Sequence, residues 1–298
     1  MKISVMIEDS KLKDDLVNEF GLSLHISVHG KNVLMDTATT GAFVKNAGPL
    51  GIDLKDIDFA IISHSHYDHG GGLEAFIKAN EKAKIYLKEG ARDNYYANIT
   101  AKLPSLMTFF LSPLIGRSKR LSRYIGLNKK LFDEHSDRFV FINEFTELSE
   151  GIFILTDIPK KFPISKGNIF LLEEKDGRLQ RDQFEHELIL VIKEDDGLVI
   201  FTGCGHSGVL NMVDTVKTSF PDIPIKAVIG GFHLKLKPMK DSAAGTKEEI
   251  EAIARKLMDQ NVGKVYTGHC TGKGAYDFMK NVLAEKLGRI QTGKVIEL

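Results

Sequence analysis

The run His64-Ser65-His66-Tyr67-Asp68-His69 constrains this chain more than any other feature. It follows the apolar stretch Phe59-Ala60-Ile61-Ile62 and leads into Gly70-Gly71-Gly72-Leu73. Four side chains able to ligate a metal fall within six residues. Alternate residues of an extended segment point the same way, so His64 and His66 can share one ion. Asp68 and His69 come where the glycines let the chain turn, and can face a second ion. Neutral imidazoles and a carboxylate suit zinc, and also iron or manganese. A solvated polar loop with chance histidines does not explain why a buried-strand pattern delivers three of them to one point.

The same local order recurs along the chain: an apolar strand, a loop of glycine and histidine, then an amphipathic helix. Strand 57–62 leads through the histidine run to a helix near 72–80. Strand 198–201 leads through Thr202-Gly203-Cys204-Gly205-His206-Ser207-Gly208 to a helix near 209–219. Strand 226–229 leads to Gly230-Gly231-Phe232-His233. Strand 264–267 leads through Gly268-His269-Cys270-Thr271-Gly272 to a helix near 275–287. Thr246 and Glu249 predict a capping box for a helix over 247–260. Its Ile250, Ile253, Ala254 and Leu257 share one face. Functional groups in such folds gather at strand C-termini, so the loops are expected to converge. Of ten histidines, His25, His29 and His135 lie outside these loops and read as structural or surface groups. The β-rich halves, about 1–90 and 150–270, predict two sheets packed face to face with helices on both outer faces. That is an α/β fold, a four-layer αββα sandwich. Residues about 92–140 read as a helical insertion in one domain spanning 1–298.

Composition excludes several classes. Lys plus Arg and Asp plus Glu number 40 each, so no global basic field suggests nucleic acid. Two cysteines rule out a disulfide scaffold and fit a reducing compartment, here the cytoplasm. The first nine residues meet acids too early for a signal peptide and read as a strand. The most apolar segment, Leu103 to Gly116, is too short to span a bilayer and is interrupted by Pro104 and Pro113. With Tyr95, Tyr96, Phe109, Phe110, Arg117, Lys119 and Arg120 it is expected to border the metal cleft, or else to form a homodimer contact.

The run His64 to His69 resembles the H-x-H-x-D-H motif of the metallo-β-lactamase superfamily. The strings NEFGLSLHI, GCGHSGVLN, IGGFHL and TGHCTG, with Thr156-Asp157-Ile158-Pro159, resemble one branch of it. That branch includes dihydropterin–ribofuranosylaminobenzene phosphate synthases and predicted metal-dependent hydrolases. The resemblance implies two metal ions, zinc foremost, with manganese or iron as alternatives. It implies His64 and His66 at the first ion, and Asp68, His69 and His269 at the second. Asp36 is implied to support the loop through hydrogen bonds. Where the commonest form has TGD, this chain has Thr202-Gly203-Cys204, with His206 two residues on. His206 is favoured as a ligand. His186 reads equally as ligand or strand histidine, and Cys204 as a thiolate ligand, a bridge or an inert core residue. Cys270 is expected to be inert.

Two activities follow as expectations. One is metal-assisted hydrolysis of a phosphoester or related small substrate, with Asp68 orienting the nucleophile and His233 assisting the leaving group. The other is a transferase reaction condensing a dihydropterin diphosphate with ribofuranosylaminobenzene phosphate. Both need cations near phosphate oxygens, so the ligands alone do not separate them.

Overall fold

The computed structural model describes residues 1–98, 119–237 and 240–298. Two seven-stranded sheets dominate it. The first runs, in spatial order, Val295–Glu297, Lys2–Ile7, Ser23–Val28, Lys31–Met35, Phe59–Ile61, Lys84–Lys88 and Phe139–Ile142. The second runs Leu287–Arg289, Lys264–Thr267, Ile225–Gly230, Gly197–Phe201, Ile189–Glu194, Ile152–Leu155 and Thr146–Ser149.

Three apolar cores separate four layers. Alternate residues of a strand face opposite sides of a sheet. Val199 therefore joins Ile3, Val5, Ile26, Val33 and Leu190 between the two sheets. Its neighbours Leu198 and Ile200 join Val209, Met212, Ile250, Leu257 and Met279 under the helices Val209–Ser219, Lys247–Asp259 and Lys273–Leu283. On the other side Leu34, Ala60 and Ile85 pack against Phe43, Leu73, Phe76 and Leu131 of shorter helices. Burial on both faces is why these strands read as unbroken apolar runs. The αββα sandwich expected from the sequence is the fold observed.

Strands Lys31–Met35, Phe59–Ile61, Lys84–Lys88 and Phe139–Ile142 are mutually parallel. So are Gly197–Phe201, Ile225–Gly230, Lys264–Thr267 and Leu287–Arg289. Their C-terminal ends supply the loops that carry Asp36, His64 to His69, Cys204, His206, His233 and His269.

The insertion over 92–140 differs from expectation in its described part. Asn94–Asn98 and Ser122–Tyr124 are strands, paired in a four-stranded sheet with Leu171–Lys175 and Arg178–Arg181. Phe139–Ile142 completes the first sheet, and the only α-helix among the described residues there is Lys130–Glu134. The strand character of Asn94–Asn98 depends on a partner remote in sequence, Tyr96 lying opposite Leu172. Phe109, Phe110 and Arg117, and the rest of the segment 99–118, lie outside the described residues, as does the side chain of Arg120. The last long helix ends at Leu283 rather than near 287, where Ala284 takes a left-handed φ of 47°. No helix among the described residues is long and apolar enough to cross a membrane.

Candidate metal centre

The six ligands expected from the sequence meet at one place. Asp68, His69 and His269 form a group with Cys204 in which one ligand atom from each lies within 4.8 Å of the others. His64, Cys204 and His206 form a second group to the same limit, and His64, His66 and Asp68 a third. All of these side chains are buried.

Hydrogen bonds hold the rings of His64, His69, His206 and His269 by Nδ1. Asp36, at the end of Lys31–Met35, accepts from Ser63 N and Ser63 Oγ at 2.8 Å each and faces His69 Nδ1 at 2.6 Å. This is the supporting role expected of it. Ser63 Oγ also lies 2.9 Å from His64 Nδ1. Gly203 sits against that serine with φ at +60°, and a Cβ there would meet Ser63 Oγ at 2.2 Å, so only glycine fits the turn. Asp9 Oδ1 is 2.7 Å from His269 Nδ1, and Glu8 Oε1 accepts His269 N–H at 2.6 Å. Asn168 Oδ1 is 2.9 Å from His206 Nδ1. Glu187 accepts the N–H groups of His206 and Ser207 at 2.7 Å each.

The other nitrogens turn inward. Nε2 of His64, His66 and His206 is buried with no hydrogen-bond partner. His69 Nε2 lies 3.0 Å from Cys204 Sγ and 3.3 Å from His269 Nε2. Asp68 Oδ2 lies 3.4 Å from His269 Nε2. A ring held by one nitrogen with the other presented to a common point is how proteins orient metal-ligating histidine. Orphaned buried nitrogens are costly unless a cation or proton meets them, so the donor set fits a metal.

The electrostatics agree. Burial, then the neighbouring His69, holds His64 well below its usual pKa. Burial and His233 do the same to His206, and burial lowers His66. All three keep a lone pair free. Burial pushes Asp68 up, but the His269 hydrogen bond and the His69 charge outweigh it and hold the group as a carboxylate. Burial opposes charge on His269 and His69, yet Asp9 raises the first and Asp36 the second. Burial raises Glu187 despite its two N–H donors.

Other expected residues fall into place differently. His186 is engaged at both nitrogens, its Nδ1 accepting Ser65 N–H and its Nε2 facing Asp182 Oδ2, both at 3.0 Å, and with His66 and Asp182 it forms a further group of possible ligands within 4.8 Å. Tyr95 is buried, its ring 4.0 Å from that of His186 and its hydroxyl donating to Gly90 O at 2.7 Å. It is therefore not a surface on which a substrate stacks. Tyr96 and Lys119 both engage Glu174. His233 is half-buried, its ring 4.1 Å from that of His206, and its Nδ1 is buried without a partner. Phe232 and Leu234 face the other way, into an apolar cavity of about 290 Å³ that His233 does not line. Sequence reasoning missed Glu8, Asp9, Asn168, Asp182 and Glu187. Each is an ordinary polar residue until the fold sets it beside a histidine.

The family model of the metallo-β-lactamase superfamily matches residues 19–95. The chain is 32% identical over its whole length, and over 96% of the relative, to a protein of Methanocaldococcus jannaschii. That relative is named 7,8-dihydropterin-6-methyl-4-(β-D-ribofuranosyl)-aminobenzene-5'-phosphate synthase. The crystal structure of Tm1679, described as a metal-dependent hydrolase of the β-lactamase superfamily, superposes with a TM-score of 0.78 at 29% identity. The match covers 100% of this chain and 99% of that one. The metallo-β-lactamase fold protein YhfI from Bacillus subtilis shares the fold at a TM-score of 0.54 and 12% identity, covering 100% of this chain and 99% of that one. With its histidine run at a strand end and full-length likeness to these proteins, the chain belongs to the metallo-β-lactamase superfamily, an enzyme superfamily, in the branch of the dihydropterin–ribofuranosylaminobenzene phosphate synthase.

Proposed function

We propose that the protein is a metal-dependent hydrolase with a dinuclear centre, zinc foremost, acting on a phosphate-bearing small substrate. One observation carries this reading. His64, His66, Asp68, His69, His206 and His269 converge within a few ångströms, with the Nε2 atoms of three of them buried and unpartnered. When bound, two divalent ions would lower the pKa of a water and stabilise negative charge on the substrate. Iron or manganese would suit the same donors.

The chain's own residues supply the rest. Asp68, kept ionised, orients the attacking water. His233 is poised beside His206 to give a proton to the leaving group or to bind a phosphate oxygen. Its backbone is left-handed, with φ at 46°, held by Ser165 Oγ on its carbonyl and Cys270 Sγ on its N–H. The Arg123 guanidinium, 5.0 Å over the Tyr67 ring, puts positive charge beside the histidine loop. Two reduced cysteines in the centre suit a cytoplasmic setting.

A second reading is favoured by the full-length synthase relative. In it the same residues hold a departing diphosphate while the amino nitrogen of ribofuranosylaminobenzene phosphate attacks the methylene carbon of a dihydropterin diphosphate, the C–N bond forming as the C–O bond breaks and the amine giving up a proton. Zinc-loaded protein incubated with a phosphoester panel, and with the two pterin-pathway substrates together and apart, separates the readings. Product release from the panel with water alone supports hydrolysis. Diphosphate release only when both partners are present supports condensation. Neither product from fully loaded protein removes both.

A further inference from the structure

Cys204 stands at the junction of the two sets of inward-facing groups. It lies with Asp68, His69 and His269 in one group and with His64 and His206 in another, and is the one residue those two groups share. The side chain is 2% exposed. The surrounding turn is pinned to the neighbouring strand end, Thr202 N–H bonding Ile229 O at 3.0 Å and Gly231 N–H bonding Gly203 O at 2.6 Å. A separate observation points to a ligand at the same spot: His64 Nε2 and His206 Nε2 are buried, unpartnered and grouped with this sulfur. One weak S–H donor cannot satisfy two imidazole lone pairs as well as the nearby His69 nitrogen. A thiolate with a cation on each side can meet both groups at once, and thiolates favour borderline and soft cations.

We propose that Cys204 is a metal ligand whose thiolate bridges the two ions, joining the His69–His269 side of the centre to the His64–His206 side. The proposal rests on the dinuclear centre argued above. On binding, the thiol proton passes to solvent and the sulfur lone pairs replace it, one toward each ion. Cys270 has a different task. Its Sγ accepts His233 N–H at 3.3 Å and faces Cys204 O at 3.4 Å, so it ties the two loops together. A bridging sulfur also sets metal choice, favouring zinc, cobalt or iron over manganese.

Cobalt tests this without reference to turnover. Metal-free protein is titrated with cobalt(II) and followed by near-ultraviolet and visible absorption together with bound-metal analysis. The expected result is a thiolate-to-cobalt charge-transfer band that grows through two equivalents. The band is lost in Cys204→Ser and Cys204→Asp and kept in Cys270→Ser. Cys204→Asp still binds two ions, because a carboxylate is also a ligand. Cys204→Ser weakens the second ion by at least the ~10-fold that losing an outer hydrogen-bond partner costs. Two bound cobalt ions with no such band, or a band that survives in Cys204→Ser, overturns thiolate ligation and leaves the centre standing. A band complete after one equivalent overturns the bridge. A folded wild-type protein that binds no cobalt overturns the centre and this ligand with it.

Discussion

His233 illustrates what a single residue can carry. It is half-buried, left-handed in its backbone, and packed ring to ring with His206, yet it belongs to a group of possible ligands only through the two cysteines. His233→Ala is expected to lower activity by ~10²-fold or more with metal content unchanged, as loss of a general acid does. Loss of metal in that variant would make His233 a ligand instead. The histidine run and the loops of glycine and histidine were legible because ligating residue types clustered at strand ends are rare by chance. The roles of His186 and Tyr95 were not. Ser65 N–H and Asp182 take both nitrogens of His186, and Tyr95 spends its hydroxyl on Gly90. Such partners are set by packing, which residue type does not encode.

Elements with strong local signals matched closely. The helix predicted over 209–219 is Val209–Ser219, and strand 264–267 is Lys264–Thr267. Thr246 caps Lys247–Asp259 with the full capping box, its Oγ1 accepting Glu249 N–H at 3.3 Å while Glu249 Oε2 accepts Thr246 N–H at 3.0 Å. Thr246→Ala is expected to cost about 1 kcal/mol, read from the denaturant midpoint. Metal content should not change, because Thr246 and Glu249 bond each other and Lys166 rather than any of the candidate ligands. A larger loss, or metal release, would mean the cap also supports the centre. By contrast, Asn94–Asn98 carries no helix stop or hairpin signal. Its pairing with Leu171–Lys175 is a long-range choice, as is the return of Val295–Glu297 to Lys2–Ile7.

At the scale of the whole molecule the centre is a clasp between the sheets. Asp36 and the loop of His64 to His69 come from the first, and Cys204, His206 and His269 from the second. Chelation should therefore lower the melting temperature, since a ligand at 100 times its Kd adds about 2.7 kcal/mol to the folded state. An unchanged melting point would argue against a tightly held metal. The metal-free protein should also weaken in acid. Burial keeps His64, His66 and His206 below the ordinary 6.5, so the unfolded chain binds protons there that the folded chain refuses. Their contribution is present above 6.5 and lost as pH falls toward their folded values. His69 and His269 run the other way, contributing below 6.5 and losing that as pH rises through their raised values. His206→Asn should therefore shrink the fall in melting temperature between about pH 7 and 5, and His269→Asn should not. The amino-acid sequence by itself determined the layers, because apolar periodicity and loop chemistry act over a few residues. It also named the six side chains that converge. Only the tertiary structure decided which carboxylates and amides brace them, that His186 is spent on hydrogen bonds, and that Cys204 lies between the two groups. Several of those outcomes depend on contacts more than a hundred residues apart, Glu8 and Asp9 with His269, Ser65 with His186 and His69 with Cys204, where packing of the two sheets, rather than local preference, sets the distance.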